Sequence, residues 1–479
     1  MWQQKCFKRQ NLYAALGYEV MMERHDLVST GVKALDELLG GGLLRGSIVL
    51  VAGHPGAGKT TLGAQFLYYG AVKKNESGIY VSFAESKREF YYHMKQLGMN
   101  FERLEKEGKF KFIEGISGIS RDFLRELINT IASVIEEIRA ERIVIDSITA
   151  LLMYFKEEEA RTFFREVLMR LLKPHKITAY FIADLPHGKE VIGFGFEEFL
   201  ADVVIRLAYE GVPGIELVRR RLIVEKSRYS PTPRYAYDFE IGKGGIRIFT
   251  PIEEVPLGSY ELERVSTGIP GLDKMLGGGL LKSSLTIISG PSGTGETVIS
   301  MMFAVEGALR GERVLYLSFE ESEKQLIRML NTMGFNYEKL KNNLTILYKA
   351  PRLLTLGQVL SIVTDALEKY KPSRLVIDGI SALERMYRDQ FTLHALIRGV
   401  AALCKSRGIT VIMTTLRNIL RGEEAGYSTA ADILIGLDLE RKDVKLQRVI
   451  AILKMRGSPH DTNIRKIEFN ERGRVVIHG

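Results

Sequence analysis

Apolar runs of roughly five to seven residues alternate along this chain with segments whose apolar residues recur at helical spacing. In the first half the runs are 47–53, 78–83, 110–114, 142–146 and 177–183, followed by 203–207 and 219–225. In the second they are 284–290, 313–319, 344–348, 374–378, 409–415, 433–437 and 447–453. Short apolar strands separated by amphipathic helices predict an α/β fold in each half, with a mainly parallel twisted sheet flanked by helices. The runs 203–207 and 219–225 lie close together and are predicted to be late antiparallel additions. Ligands of such sheets gather at the carboxyl ends of the strands.

The pattern repeats because the sequence does. Thr30-Gly31, Leu35-Asp36 and Leu39-Gly40-Gly41-Gly42-Leu43-Leu44 recur as Thr267-Gly268, Leu272-Asp273 and Leu276-Gly277-Gly278-Gly279-Leu280-Leu281. So long a period signals duplicated domains rather than a solenoid. The segment Pro251-Ile252-Glu253-Glu254-Val255-Pro256 has neither strand nor helix periodicity and marks the join. The expected organisation is an N-terminal extension over 1–21, a first domain over 22–250, a linker over 251–259 and a second domain over 260–479. The extension carries Lys5, Lys8 and Arg9 with no apolar stretch or cleavage site behind them, so it does not match a signal peptide. It is either a disordered arm or sequence upstream of a start at Met21 or Met22.

The run 47–53 leads into Gly53-His54-Pro55-Gly56-Ala57-Gly58-Lys59-Thr60-Thr61. A G-x-x-x-x-G-K-T loop between strand and helix turns successive backbone N–H groups onto phosphates; Lys59 reaches the β- and γ-phosphates and Thr60 offers a hydroxyl to Mg²⁺. Leu62, Phe66, Leu67 and Ala71 then have helical spacing from Thr60 to about Lys73, so the positive end of that helix faces the phosphates. The second copy is Gly290-Pro291-Ser292-Gly293-Thr294-Gly295-Glu296-Thr297. Gly290, Gly293, Gly295 and Thr297 preserve the phosphate-binding pattern, but the lysine has become Glu296. An ammonium about 4 Å from a phosphate contributes on the order of 4 kcal/mol at an effective dielectric near 20, and a carboxylate there repels by as much. That swing is large enough to abolish ordinary ATP binding.

Two further positions complete the expected site. Asp146 closes the strand Arg142-Ile143-Val144-Ile145-Asp146, and Asp378 closes its copy. A carboxylate there holds the ion's water shell beside the Thr60 hydroxyl. Glu85 follows the earlier run 78–83 in Ser82-Phe83-Ala84-Glu85, where the copy reads Ser318-Phe319-Glu320-Glu321. A carboxylate beside the γ-phosphate can orient or deprotonate the attacking water. The same acids also suit a helix N-terminus, whose dipole favours them.

Composition narrows the classes. With 46% hydrophobic and 26% charged residues the chain is globular. Cys6 and Cys404 are too few and too far apart for a disulfide framework or a zinc site, which fits a reducing cytoplasm. No apolar run reaches the roughly 18 residues of a membrane span. A net charge of +9 permits nucleotides, nucleic acid or a membrane surface as partners without choosing among them.

The order of these motifs, with a late Lys-x-Arg-Gly-Ser in the second half, resembles the KaiC family within the RecA superfamily of ATPases, over about 22–479 and in two copies. Gly195-Phe196-Glu197-Glu198-Phe199 with Asp202 and Lys454-Met455-Arg456-Gly457-Ser458-Pro459-His460 are similar to further family segments. The first-domain form of the latter, Lys226-Ser227-Arg228-Tyr229-Ser230, lacks the glycine. The resemblance implies two tandem RecA-like P-loop domains, ATP and Mg²⁺ as cofactors, and a homo-oligomeric, hexameric ring with ATP between neighbours. It further implies that Lys226 with Arg228, and Lys454 with Arg456, reach a neighbour's γ-phosphate, where a cation supplied in trans offsets charge on the transferring group. The plainer reading is basic residues leaving a strand, together with Arg219, Arg220 and Arg221. Ser428 and Thr429, in Gly426-Tyr427-Ser428-Thr429-Ala430-Ala431-Asp432, match the family's autophosphorylated pair; Glu296 undermines that activity, and Ser-Thr before a strand is also a common turn.

The expectation is a ring-forming ATPase acting as a nucleotide-dependent switch. Its first domain binds Mg-ATP and hydrolyses it slowly, because Ala84 leaves Glu85 as the only local base. The second is weak or inactive despite Glu320, Glu321, Asp378, Lys454 and Arg456. Two alternatives stand beside it. A recombinase-like DNA-dependent ATPase would call for a DNA-binding loop or helix-hairpin-helix, and neither is visible; a scaffold cemented by ATP would assemble without turnover.

Overall fold

The structure is a computed structural model that describes residues 26–477 apart from 116–120, 153–156, 186–194, 196, 212–217, 232–234, 250–262, 352–353, 386–389, 424–425 and 443. The expected extension (1–21) and linker (251–259), and Phe196 of the glutamate-bearing segment, lie outside the described residues. The described residues fall into two compact units, one ending at Ile248 and the other beginning at Phe249.

The first unit is built on β1 (Ile48–Gly53), β2 (Gly78–Ser82), β3 (Phe110–Glu114), β4 (Arg142–Asp146), β5 (Thr178–Asp184), β6 (Val203–Gly211), β7 (Val218–Ser227), β8 (Ala236–Gly242) and β9 (Gly245–Ile248). Among the described residues these form one nine-stranded sheet in the order β9-β8-β7-β6-β1-β5-β4-β2-β3. The six strands from β6 to β3 are parallel, and β7, β8 and β9 continue the sheet antiparallel. The prediction for 203–207 is therefore corrected. β6 runs parallel to β1, pairing Val49 with Val203 and Gly53 with Leu207, and only its other edge meets an antiparallel partner. The chain leaves β5 at Asp184 and returns to the opposite end of the sheet before β6 begins, and such a crossover yields a parallel neighbour.

The central strands are apolar throughout because both faces are covered. Val49 and Val51 pack with Leu62, Phe66 and Leu67 of helix α1 (Lys59–Tyr69), whereas Ile48, Leu50 and Ala52 pack with Leu127, Ile131 and Phe164 from the helices Arg121–Ile138 and Glu157–Glu166. Such two-sided burial gives continuous apolar runs rather than alternation. The predicted helix from Thr60 to Lys73 is α1 extended by a wider π-type turn over Gly70–Lys74.

The second unit repeats the plan with β10 (Leu285–Ser289), β11 (Val314–Ser318), β12 (Leu344–Tyr348), β13 (Arg374–Asp378), β14 (Thr410–Thr415), β15 (Ile433–Lys442), β16 (Lys445–Met455), β17 (Arg465–Phe469) and β18 (Val475–Ile477), in the order β12-β11-β13-β14-β10-β15-β16-β17-β18. Helix α2 (Glu296–Leu309) stands where α1 stands in the first.

Each sheet is tied to its first helix by a buried arginine. Arg142 Nε donates to Glu76 Oε2 at 2.7 Å, its Nη1 donates to the carbonyls of Ser29 and Phe66, and its guanidinium lies over the Phe66 ring. A side chain on Gly70 would sit 2.4 Å from Arg142 Nε, so glycine is required there. Arg374 repeats every part of this with Glu312, the carbonyls of Ser266 and Phe303, the Phe303 ring and Gly307. Desolvating a guanidinium is tolerable only when its donors are met in this way.

Candidate functional site

In the first unit the loop between β1 and α1 holds its shape through glycines. Gly56 and Gly58 have φ of 75° and 105°, and a Cβ on Gly53 would lie 2.2 Å from the Leu207 carbonyl oxygen of β6. Lys59, the first residue of α1, is buried; its Nζ donates to the carbonyls of Gly53 and His54, both at 2.9 Å, and lies 3.0 Å from Asp184 Oδ1 at the end of β5. Thr60 Oγ1 donates to Asp146 Oδ2 at 2.7 Å, and the Tyr80 hydroxyl donates to the same oxygen at 2.6 Å. Burial pushes the Asp146 carboxyl upward, against the hydrogen bonds from Tyr80 and Thr60. A hydroxyl beside a carboxylate is a hard-oxygen donor set of the kind Mg²⁺ takes.

Glu85 sits just past β2, its backbone N–H held by the Ser82 hydroxyl. Burial and then the nearby Asp146 raise its carboxyl above the usual range. Lys59, Thr60, Asp146 and Glu85 thus converge at the carboxyl edge of the parallel strands, as the sequence indicated. His54, Pro55, Ala57 and Thr61 complete the loop and the first turn of α1.

Lys226 and Arg228 do not join them. They lie at the end of β7 that pairs with Val203, where the parallel strands begin, about 17 Å from the loop at the rise of a six-residue strand. Lys226 Nζ donates to the carbonyls of Glu198 and Ala201, and Arg228 to Phe199 O and Asp202 Oδ1. Burial and then Arg228 lower the Lys226 ammonium.

The second unit keeps the scaffold and changes the charge. Gly293 and Gly295 have φ of 88° and 111°, close to their counterparts. Glu296 is buried at the start of α2; its Oε1 accepts from the Thr294 hydroxyl at 2.8 Å and its Oε2 from the Gly295 N–H at 3.1 Å. The carboxylate is thus itself the anion that the loop binds. Burial pushes Glu296 up to about 7, aided by Asp378 and opposed by these hydrogen bonds. Asp378 accepts from Thr414 and is also raised by burial, Thr297 being among the groups that hold it down. Glu321 is raised by burial, Asp378 and Glu320, and Glu320 lies 3.6 Å from Arg385.

The partner of Lys59 has changed as well. The backbone N–H of Asp184 is held by Thr149 Oγ1 and that of Leu416 by Ser381 Oγ, so Leu416 stands where Asp184 stands. The positions of the Lys59–Asp184 ion pair in one unit are held by Glu296 and Leu416 in the other. Lys454 and Arg456, like Lys226 and Arg228, end the strand at the far edge, where Arg456 Nη2 donates to the Thr429 carbonyl. Thr429 Oγ1 lies 3.1 Å from His394 Nε2 and donates to Gly426 O; the side chain of Ser428 lies outside the described residues.

The sequence reading missed Asp184, Tyr80 and His93. Asp184 gave a usable signal, since it ends an apolar strand just as Asp146 does. It named Arg220 only as a basic residue leaving a strand; its guanidinium lies 4.9 Å over the Tyr209 ring, itself 3.6 Å from where a Cβ on Gly56 would be.

Tandem, mostly parallel sheets with a phosphate loop on the central strand of each define a P-loop α/β protein of the RecA type. A family model described as "ATPase: KaiC" matches residues 28–253 and again 265–479. The circadian clock oscillator protein KaiC of Picosynechococcus sp. is 32% identical over 473 residues, covering 94% of this chain and 89% of the relative. Those of Thermostichus vulcanus and Synechococcus elongatus are 33% and 31% identical, each over 88% of the relative's length. This chain belongs to the KaiC ATPase family.

Proposed function

We propose that this chain is a ring-forming ATPase whose first domain (22–250) binds and slowly hydrolyses Mg-ATP and whose second (260–479) is a disarmed copy, the whole acting as a nucleotide-dependent switch. The observation that carries this reading is the paired exchange of Lys59 and Asp184 for Glu296 and Leu416 on otherwise matching loops. The second loop keeps neither the ammonium nor the carboxylate that holds it in the first.

In the first domain the backbone N–H groups at Gly56, Gly58, Lys59 and Thr60 would receive the phosphates. Lys59 would exchange its bonds to Gly53 O and His54 O for phosphate oxygens, an exchange of like for like. Thr60 and Asp146 would hold Mg²⁺, which when bound offsets charge on the terminal phosphates. Glu85 would accept the proton of the attacking water as its oxygen bonds the γ-phosphorus and ADP departs with the bridging electron pair. The placement of Lys226 and Arg228 away from their own loop supports their acting on a neighbouring subunit, in a homo-oligomer of the ring type.

The test is nucleotide stoichiometry on the purified chain with Mg-ATP, with size read in the same samples. One nucleotide per chain, lost in Lys59→Ala and rising toward two in Glu296→Lys, is expected. Two nucleotides in the parent would refute the disarmed second domain, and DNA-stimulated hydrolysis would return the recombinase reading.

A further inference from the structure

We propose that His93 is the positioning residue of the first site: it holds one oxygen of the Glu85 carboxylate and leaves the other to take the proton of the attacking water. The inference rests on the reading of the first domain as an ATP hydrolase. His93 Nδ1 lies 3.4 Å from Glu85 Oε2. Glu85 Oε1 is buried and has no hydrogen-bond partner among the described residues. A buried carboxylate oxygen without a donor is costly, and a site that supplies a water to it recovers that cost.

The two copies within the chain make the role specific. Ser86 and Ser322 cap equivalent helices, Lys87–Gln96 and Glu323–Thr332. Counting from these caps, Ala84 stands opposite Glu320, Glu85 opposite Glu321, and His93 opposite Met329. The copy with two adjacent acids has no imidazole at this place, and the copy that lost one acid has gained it. In the second unit Glu320 disfavours the ionised form of its neighbour Glu321, whereas the first unit supplies a donor from two turns along the helix.

The groups that face Glu85 are Asp146 at the end of β4, Tyr80 on β2, and Glu89 and His93 on the capped helix. Burial, Asp146 and Glu89 favour the protonated acid, and His93 is the group that opposes them. A general base must be ionised to act, so His93 extends the active range of Glu85 toward low pH. In the reaction, water gives a proton to Glu85 Oε1, its oxygen bonds to the γ-phosphorus, and the bond to the bridging oxygen breaks with its electrons leaving on ADP.

The experiment compares parent, His93→Ala, His93→Lys and Glu85→Gln by steady-state hydrolysis of Mg-ATP from pH 5 to 9, with Mg-ATP affinity measured in parallel. His93 is 58% exposed, so alanine leaves the fold intact. In His93→Ala the expected result is kcat lower by about threefold to tenfold at pH 7, with its acid limb displaced upward by about one pH unit and unchanged affinity. His93→Lys restores a donor at this place and brings the limb back. An acid limb that stays in place in His93→Ala while Glu85→Gln is inactive overturns the inference alone. Unimpaired turnover in Glu85→Gln, or none in a parent that binds Mg-ATP through Lys59, overturns the hydrolytic reading and the inference with it.

Discussion

Glu296 offers the sharpest quantitative test, because its environment makes the second loop sensitive to pH. Its carboxyl is raised from 4.5 to about 7, chiefly by burial. Below its unfolded value the group is protonated in both states and contributes no pH dependence. Between 4.5 and about 7 the folded chain binds the extra proton, so stability falls as pH rises, and above that range the loss is complete. At 1.36 kcal/mol per unit the full penalty is about 3 kcal/mol. Glutamine at this position keeps a carbonyl for the Gly295 N–H and cannot ionise. Glu296→Gln should therefore gain about 2–3 kcal/mol on the parent between pH 5 and pH 8. Urea unfolding followed by circular dichroism at several pH values reads this difference, and subtracting the curves cancels every other titrating group. Parallel curves would mean that the carboxylate is as comfortable folded as unfolded, and the account of the second loop as holding its own buried anion would fail.

The remaining predictions use the same contrasts. Lys59→Ala should weaken Mg-ATP binding about a thousandfold, the equivalent of the roughly 4 kcal/mol of an ammonium near a phosphate; calorimetric titration showing less than tenfold would remove Lys59 from the phosphate site. Glu296→Lys combined with Leu416→Asp should bind the second nucleotide more tightly than Glu296→Lys alone, and an equal affinity would show that the Asp184 position is irrelevant. Glu76→Gln strips Arg142 of its carboxylate and should cost about 3–5 kcal/mol in urea unfolding, with Glu312→Gln doing the same to the second unit. Incubated with ATP, the parent should show no shift on a phosphate-affinity gel; a shift abolished by Thr429→Ala would mean that Glu296 tolerates nucleotide.

The strands buried on both faces were legible in sequence, and so were half-buried ones such as Phe110–Glu114 and Leu344–Tyr348. Ile48–Gly53 and Arg142–Asp146 are continuous buried runs, as are Val314–Ser318 and Thr410–Thr415 in the second unit. Ala236–Gly242 and Gly245–Ile248 went unseen because the first buries alternate residues and the second is too short for any period to register. The orientation of β6 depends on the path of the chain after Asp184, which no local pattern encodes. Within the candidate site, Lys59, Thr60 and Asp146 were legible as candidates because the phosphate-loop pattern fixes residue types at fixed spacing. His93 was not, since its relation to Glu85 depends on a helix turning it back toward the strand end. Leu416 was invisible for a different reason: a leucine after an apolar strand means nothing until its counterpart is known to be the aspartate beside Lys59.

The buried pairs Arg142–Glu76 and Arg374–Glu312 bear on how duplicated enzymes age. Losing either member alone strands a charge in the interior, and a chain cannot pass through that intermediate without risking its fold. The lysine of a phosphate loop is under a lighter restraint: exchanging it for a carboxylate costs about 3 kcal/mol above neutral pH and the chemistry, and leaves the scaffold standing. Selection for folding alone will therefore preserve one set of residues long after selection for turnover has released the other. Likeness measured along the whole of such a chain records mainly the first set, and a copy can stay recognisable to its relatives generations after it has stopped doing their work.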